Sequence, residues 1–434
     1  MKIKLLFISS TPWDDNNSFG NSFSNIFGGN DNYEIYNIYL SEGNSTSPLV
    51  KRKYQISFGE MVRSLKNPKF KPGKEIIDEQ ETENFSERGE AIFKKASIMR
   101  WQIMFWARDA VWATGKWKTP QLDEFIKSVN PDIIFQPIYY SSFVDEVGLY
   151  AKKLTGAPMV GYISDDCYTL RQFSLSPLFW IDRLWKRRYV KRAIDECMLL
   201  YVITDRQKSE YTEIFGNKCK LLFKGGDFNE PFQTHEIQTP IKLVYTGNIG
   251  AGRWKTLAKL AEAIKDVNNG EIIFEMKVYT ATPISNEMRK SLDIKGACSL
   301  MKPVPVSQVA EIQRQSDIVV HVEPFALSER YKARLSFSTK IVDYLQSGRC
   351  ILAIGWEETG GIEYLRNMDA AITITEPSTI KSKLLEIKND PSVITDYASK
   401  GYRCGKANHR IESIRSGLYA DLKEVCKGNM PVIN

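Results

Sequence analysis

The sequence predicts an α/β chain built as two doubly wound domains that face a central cleft. Three observations lead there. Short apolar runs alternate with segments of helical period along the 434 residues. A turn- and proline-rich stretch, Gly225–Pro240, breaks that rhythm just past midway. A second series of strand, glycine turn and helix begins directly after it. Doubly wound sheets bind ligands beyond the carboxyl ends of their strands, so two of them are expected to line one crevice. The expected limits are 1–230 for the first domain and 240–404 for the second.

In the first domain the expected strands are Ile3–Ile8, Tyr33–Tyr39, Asp132–Gln136, Met159–Ile163, Met198–Ile203 and Cys219–Phe223. The start reads as a buried strand followed by Ser9-Ser10-Thr11, too short for a secretory leader. A long charged stretch after the second strand carries one helical segment, 86–117. In the second domain Ile241–Tyr245 is a strand and Gly247–Gly252 a tight turn. Trp254–Ile264 is a helix burying Leu257, Leu260, Ala261 and Ile264. Strands follow at Ile272–Val278, Ile318–Val322, Ile351–Ile354 and Ala370–Ile374.

Composition narrows the function classes. With 59 basic and 52 acidic residues the net charge is +7, a mild excess that permits an anionic partner without demanding one. A hydrophobic content of 43% supports a large core and excludes a disordered chain. The three histidines are isolated and the seven cysteines form no C-x-x-C, so no metal site is expected. Scattered, odd-numbered cysteines fit a reduced, cytoplasmic protein. No run of about 20 apolar residues is present to span a membrane.

The chemistry concentrates in residues 316–355. Strand Ser316–Val322 feeds a loop from Glu323 to Arg334, followed by a helix opening at Ser338 and Thr339 and stopped by Gly348. Ile341, Tyr344 and Leu345 form its inner face. A helix start on a cleft offers free N–H groups to a phosphate. Lys340 in the first turn needs an anion to be favourable there. Asp343, one turn on, is placed to accept from ribose hydroxyls. An ordinary helix with a Ser/Thr cap is the plain alternative.

Ser338–Gly348 is similar to the S-x-K-x-x-E-Y-x-x-x-G segment of the GT-B glycosyltransferases, in the family-four-like group that builds bacterial surface polysaccharides (capsule, exopolysaccharide or O-antigen). Ser316–Glu323 resembles that group's preceding strand and acidic loop, and Val244–Asn248 its donor-domain strand and glycine turn. The resemblance implies two Rossmann-like domains and a C-terminal helix, 405–434, packing back on the first. It implies a retaining transfer of sugar from a nucleoside-diphosphate sugar to a hydroxyl of a glycan or lipid-linked glycan. No cofactor is implied and no metal. A GT-B-fold nucleotide-sugar epimerase and a non-catalytic binding protein of this fold are the alternatives. No nucleic-acid partner is expected.

The resemblance also assigns residues. Asp343 takes the place of the acid that holds the donor ribose. Eight residues earlier stands Leu335 where the family has a glutamate, so Glu323, leaving the strand directly, is the expected substitute, with Glu329 second. Gly247, Asn248, Arg253 and Lys255 are expected to grip the diphosphate, together with Ser338, Thr339 and Lys340. Gly20 and Asn21 are expected against the donor phosphates from the first domain. Asp165 fills the position of a family histidine and is expected to orient or deprotonate the acceptor hydroxyl. Gly225-Gly226 is the expected hinge.

One segment admits two readings. In Arg183–Arg192 and the turns before it, Leu178, Ile181, Trp185 and Tyr189 share one helical face, and Arg183, Arg187 and Lys191 another. Either the segment touches an anionic membrane or a lipid-linked acceptor, on the inner face of the plasma membrane, or its aromatic face packs inward with the charges solvated.

Overall fold

The computed structural model describes residues 2–15, 17–29, 31–77 and 102–433. It holds two sheets. The first contains β1 Ile3–Ser9, β2 Tyr33–Tyr39, β3 Val50–Gln55, β4 Lys74–Ile76, β5 Ile133–Pro137, β6 Met159–Ile163, β7 Cys197–Val202 and β8 Cys219–Leu221, in the order β4-β3-β2-β1-β5-β6-β7-β8. The second contains β9 Ile241–Thr246, β10 Phe274–Tyr279, β11 Cys298–Met301, β12 Ile318–Val322, β13 Cys350–Ile354 and β14 Ile372–Ile374, in the order β11-β10-β9-β12-β13-β14. Every pairing in the sheets is parallel except β3 with β4.

Both sheets are buried on both faces, which is why their strands read as near-continuous apolar runs. In β1, Leu6 and Ile8 enter one core while Leu5 and Phe7 enter the other, the period of two that a pleated strand imposes. Strand order reverses between β1 and β5 and again between β9 and β12. These are the switch points where a crevice opens. At the second, β12 pairs with β9 only at Ile318 and Val319, so the carboxyl ends of the two strands diverge.

The chain crosses between the domains twice, and the crossings bind each other. The Gly226 amide donates to His409 O at 2.8 Å, and the Ile411 amide to Gly226 O at 3.1 Å. A β-carbon on Gly225 would lie 2.6 Å from Ile411 Cα, so the contact requires glycine. Helix Ser392–Asn408 packs on β13. Helix Ile411–Cys426 then reaches the first domain, where Leu418, Leu422 and Val425 join its core and Asp421 accepts from Tyr201 at 2.8 Å.

Three strands were not expected. Val50–Gln55 carries Lys51, Arg52 and Lys53, and neighbouring strands supply the counter-charges: Lys51 meets Glu34 at 2.7 Å, and Arg52 grips Glu75. The others, β4 and β11, are short edge strands. Within 86–117 the structure shows a helix over Gln102–Thr114; residues 86–101 lie outside those described.

The Arg183–Arg192 expectation is corrected for its first half. There helix Pro177–Asp195 turns Asp182, Arg183 and Lys186 inward and Leu178, Ile181 and Leu184 outward, whereas further on Val190, Ala193 and Ile194 are buried and Arg188, Lys191 and Arg192 exposed. Arg183 is buried, pairs with Asp166 at 3.1 Å and donates to the carbonyls of Thr169 and Asp166. Lys186 is buried between Asp109 and Asp182, at 3.3 and 3.2 Å. Arg187 donates to Tyr168 O and lies over the Tyr168 ring. These cations are therefore not presented to a membrane. Among the described residues no helix is long and apolar enough to cross one.

Candidate functional site

The interdomain cleft encloses about 450 Å³. Its second-domain wall is built from the loops at the carboxyl ends of β9 and β12 and from the start of helix Lys340–Gln346. Arg253 enters from the first turn of helix Arg253–Asn268, with Glu323 just beyond β12 and Lys340 opposite. Glu323 is buried, and its Oε2 accepts from Arg253 Nε at 3.1 Å and Nη2 at 3.0 Å. Burial raises the Glu323 carboxyl above its usual range, opposed by Arg253 and then Lys340.

Lys340 is the second cation. Burial, then the charge of Arg253, brings its ammonium down to about 8, opposed by Glu323 and Asp343. Lys340 and Arg253 crowd one space beside the buried Glu323 carboxylate, with Lys224 of the interdomain crossing also on the lining, which is the electrostatics of an anion site. Gly247 makes the geometry possible. Its φ is +144°, and a β-carbon there would overlap the Lys340 ammonium.

His321, which reads in the sequence as an ordinary core residue, also lines this cleft. Its Nε2 is buried, has no hydrogen-bond partner among the described residues, and lies 3.7 Å from Glu323 Oε1. Burial, then Arg253 and Lys340, pushes the imidazole down to about 3, so the ring is neutral. The β12 alternation was the available signal: Val320 and Val322 enter the sheet's deep core, and His321 points the other way.

A second pocket of about 570 Å³ adjoins the first and shares Asn248 and Lys340 with it. Gly247, Thr280, Thr282, Val304 and Val309 bound it, and Asp343 stands at its edge. Asp343 also pairs with Lys224 of the interdomain crossing at 2.9 Å. Ser338 and Thr339 line the cleft. The helix after them is short, and Thr339 has helical φ and ψ with no side-chain cap, so the expected hydroxyl cap is absent. Gly348, at φ +65°, does end it.

The first-domain wall is aromatic: Phe19, Phe23, Tyr139 and Tyr162, with Ser22 and Asp165. Asp165 is exposed and accepts from Ser336 Oγ of the second domain at 2.6 Å. Asp166 turns away, accepting from the Tyr168 and Thr169 amides and pairing with Arg183.

Four expectations change. Gly20 lies inside helix Ser18–Phe27 rather than in a loop, packed so tightly that a β-carbon would meet the Asp14 carbonyl. Asn21 is exposed on that helix, and Phe19, Ser22 and Phe23 face the cleft instead. Lys255 is exposed, its ammonium over the Trp254 ring and off the cleft lining; one residue in three on this first turn, Arg253, faces inward. Glu329 pairs with Lys332 on helix Leu327–Ala333 and does not line the cleft, whereas Glu323 does. Leu335 is fully buried in the first domain's core, which explains why no acid can stand there.

These two facing domains, with a returning C-terminal helix and a cleft at both switch points, are the GT-B fold. Solved structures of that fold align along nearly the whole chain. HepE of Anabaena in complex with UDP has a TM-score of 0.61 at 11% identity, covering 98% of this chain and 100% of its own. Sucrose-phosphate synthase of Thermosynechococcus elongatus has 0.60 at 10%, covering 99% and 100%. The N-terminal domain of Candida albicans trehalose-6-phosphate phosphatase has 0.60 at 11%, covering 98% and 97%. No protein-family model and no curated protein matches the chain.

Proposed function

We propose that the chain is a glycosyltransferase that moves a sugar from a nucleoside-diphosphate sugar to a hydroxyl of a glycan or lipid-linked glycan, in the building of a bacterial surface polysaccharide. One observation carries the reading: Lys340 and Arg253 converge on the cleft, beside the buried Glu323. The UDP complex of the HepE structure supports it at the level of fold.

In this reading Lys340 and Arg253 hold the diphosphate and stabilise the charge that develops on it as it leaves, without a metal. The nucleoside occupies the adjoining pocket, with its ribose at Asp343. Glu323 and the neutral His321 face the sugar. The transfer retains configuration. The bond from the anomeric carbon to the diphosphate breaks as the acceptor oxygen bonds to the same face, and the acceptor proton passes to the departing phosphate oxygen. Asp165 orients the acceptor hydroxyl from the opposite wall.

The test is release of nucleoside diphosphate from a panel of nucleotide sugars by the purified chain, with Arg253→Gln and Lys340→Met beside it. The reading expects one donor to be turned over and both variants to lose at least about tenfold in kcat/KM, or ~1.4 kcal/mol. Turnover that survives both substitutions sinks it.

A further inference from the structure

The acids that face the sugar and the ribose each hold a cation. Glu323 Oε2 accepts from both Arg253 Nε and Nη2, and Asp343 Oδ1 accepts from the Lys224 ammonium at 2.9 Å. Of the cations on the cleft lining, Lys224, Arg253 and Lys340, only Lys340 makes no ion pair among the described residues; its ammonium lies over the Tyr245 ring. Lys224 lines the cleft and Asp343 the adjoining pocket, so their pair stands on the boundary between the two. The Lys224 side chain is only 15% exposed.

The backbone at Lys224 is held from both sides. The amide of the next residue, Gly225, donates to Asn25 Oδ1 at 2.8 Å, and its carbonyl accepts from Asn25 Nδ2 at 3.0 Å. Asn25 lies on helix Ser18–Phe27, whose Phe19, Ser22 and Phe23 face the cleft. Gly226 packs on the helix that carries Asp343: a β-carbon there would lie 3.1 Å from atoms of Val342 and of Gln346. A change in where the Lys224 charge sits therefore falls on its flexible four-carbon stem.

Chemistry says where that charge goes. A ribose hydroxyl that donates to Asp343 competes with the ammonium for the carboxylate. A largely buried ammonium that loses its acid is costly, and the anion then beside it is the diphosphate of the same ligand. Pyrophosphate without a ribose leaves Lys224 on Asp343 and gains no further cation.

We propose that Lys224 is a specificity-determining cation of the donor site: Asp343 holds it until a ribose takes the carboxylate and releases it to the diphosphate, so the site selects nucleoside diphosphates over inorganic pyrophosphate. The inference rests on the proposed function, in which the ribose lies at Asp343.

The test is titration calorimetry of the full-length chain with inorganic pyrophosphate and with UDP, GDP, ADP, CDP and dTDP. Lys224→Met, Lys224→Arg, Asp343→Asn and Lys224→Met/Asp343→Asn are compared with the unaltered chain. Lys224→Met is expected to weaken the best nucleoside diphosphate at least about tenfold and pyrophosphate less than about threefold, the retained pyrophosphate binding serving as the control for fold. Lys224→Arg keeps the charge and is expected to lose less than about threefold for the nucleotide. Asp343→Asn is expected to tighten pyrophosphate about tenfold when Lys224 is present, and less than about threefold in the Lys224→Met background, where there is no ammonium to release. Nucleotide binding that Lys224→Met leaves intact overturns the inference alone. So does equal weakening of nucleotide and pyrophosphate, which makes Lys224 a fixed cation, and so does a full pyrophosphate gain in Asp343→Asn that persists without Lys224. Binding of no nucleoside diphosphate by the unaltered chain overturns the proposed function, and this inference with it.

Discussion

The ammonium of Lys340 occupies the space beside Gly247 where any other residue would carry its β-carbon: the two positions are 1.5 Å apart. A glycine turn at β9 and a lysine nearly a hundred residues later are thus one device. Gly247→Ala both strains a positive φ and expels the ammonium. We expect it to weaken nucleoside-diphosphate binding by roughly 10- to 100-fold, matching Lys340→Met, as read by titration calorimetry. Gly247→Ala with wild-type affinity would separate the two residues.

Binding should depend on pH through the same lysine. The free site holds Lys340 at about 8, so the ammonium is present below that pH and lost above it. An anion favours the charged form and takes up a proton when it binds above pH 8. Affinity is therefore expected to be flat below about 8 and to fall above it, and the slope should vanish in Lys340→Met. A profile unchanged by that substitution contradicts the assignment.

Glu323 and Arg253 should separate the sugar from the diphosphate. Glu323→Gln keeps the shape of the buried group and removes its charge, leaving Arg253 free for phosphate. The expected result is unaltered or tighter binding of the free nucleoside diphosphate with transfer reduced about 100-fold, or ~2.7 kcal/mol. Arg253→Gln is expected to weaken both, and leaves Glu323 buried without its partner. Equal effects of the two substitutions on both readouts would place them in one role.

An ion pair between the domains should hold the cleft's arrangement. The loop that carries Leu335 into the first domain is locked by Arg334, whose guanidinium donates to both oxygens of Glu210 at 2.5 and 2.8 Å. Arg334→Met removes one partner of a nearly buried pair. We expect about 2–4 kcal/mol of lost stability in urea unfolding. Burial raises the Glu210 carboxyl, but Arg334 and then Arg171, which also meets Glu210 at 2.9 Å, together outweigh it and the net direction is down. Its contribution is present above the ordinary carboxylate range and disappears as pH falls through the lowered value, a loss that should be smaller in the variant, where Arg171 alone still faces Glu210. Wild-type stability of Arg334→Met would remove the latch.

Most of the fold is readable from β1, β2, β6 and β12, because parallel strands buried on both faces read as near-continuous apolar runs. β3 escapes that reading, since Lys51 and Arg52 meet their acids only after Glu34 and Glu75 arrive from other strands. The same reason hides the orientation of helix Pro177–Asp195. Its pattern is amphipathic, but the acids that draw the basic side inward, Asp109 and Asp166, lie elsewhere in the chain. At the site, Arg253 is legible as a charge directly after the glycine turn Gly247–Gly252, and Lys340 as a charge in the first turn of the same domain's cleft helix. Gly20 and Lys255 are not excluded by sequence, because which side of a first helical turn faces a cleft is fixed by the opposite domain.

The central claim is that the cleft holds a nucleoside diphosphate on Lys340 and Arg253. Titration calorimetry of the full-length chain with UDP, GDP, ADP, CDP and dTDP tests it most directly, with Lys340→Met and Arg253→Gln in parallel. The account predicts saturable binding of at least one of them, weakened at least about tenfold by each substitution. Binding of none, or binding that neither substitution weakens, would contradict it.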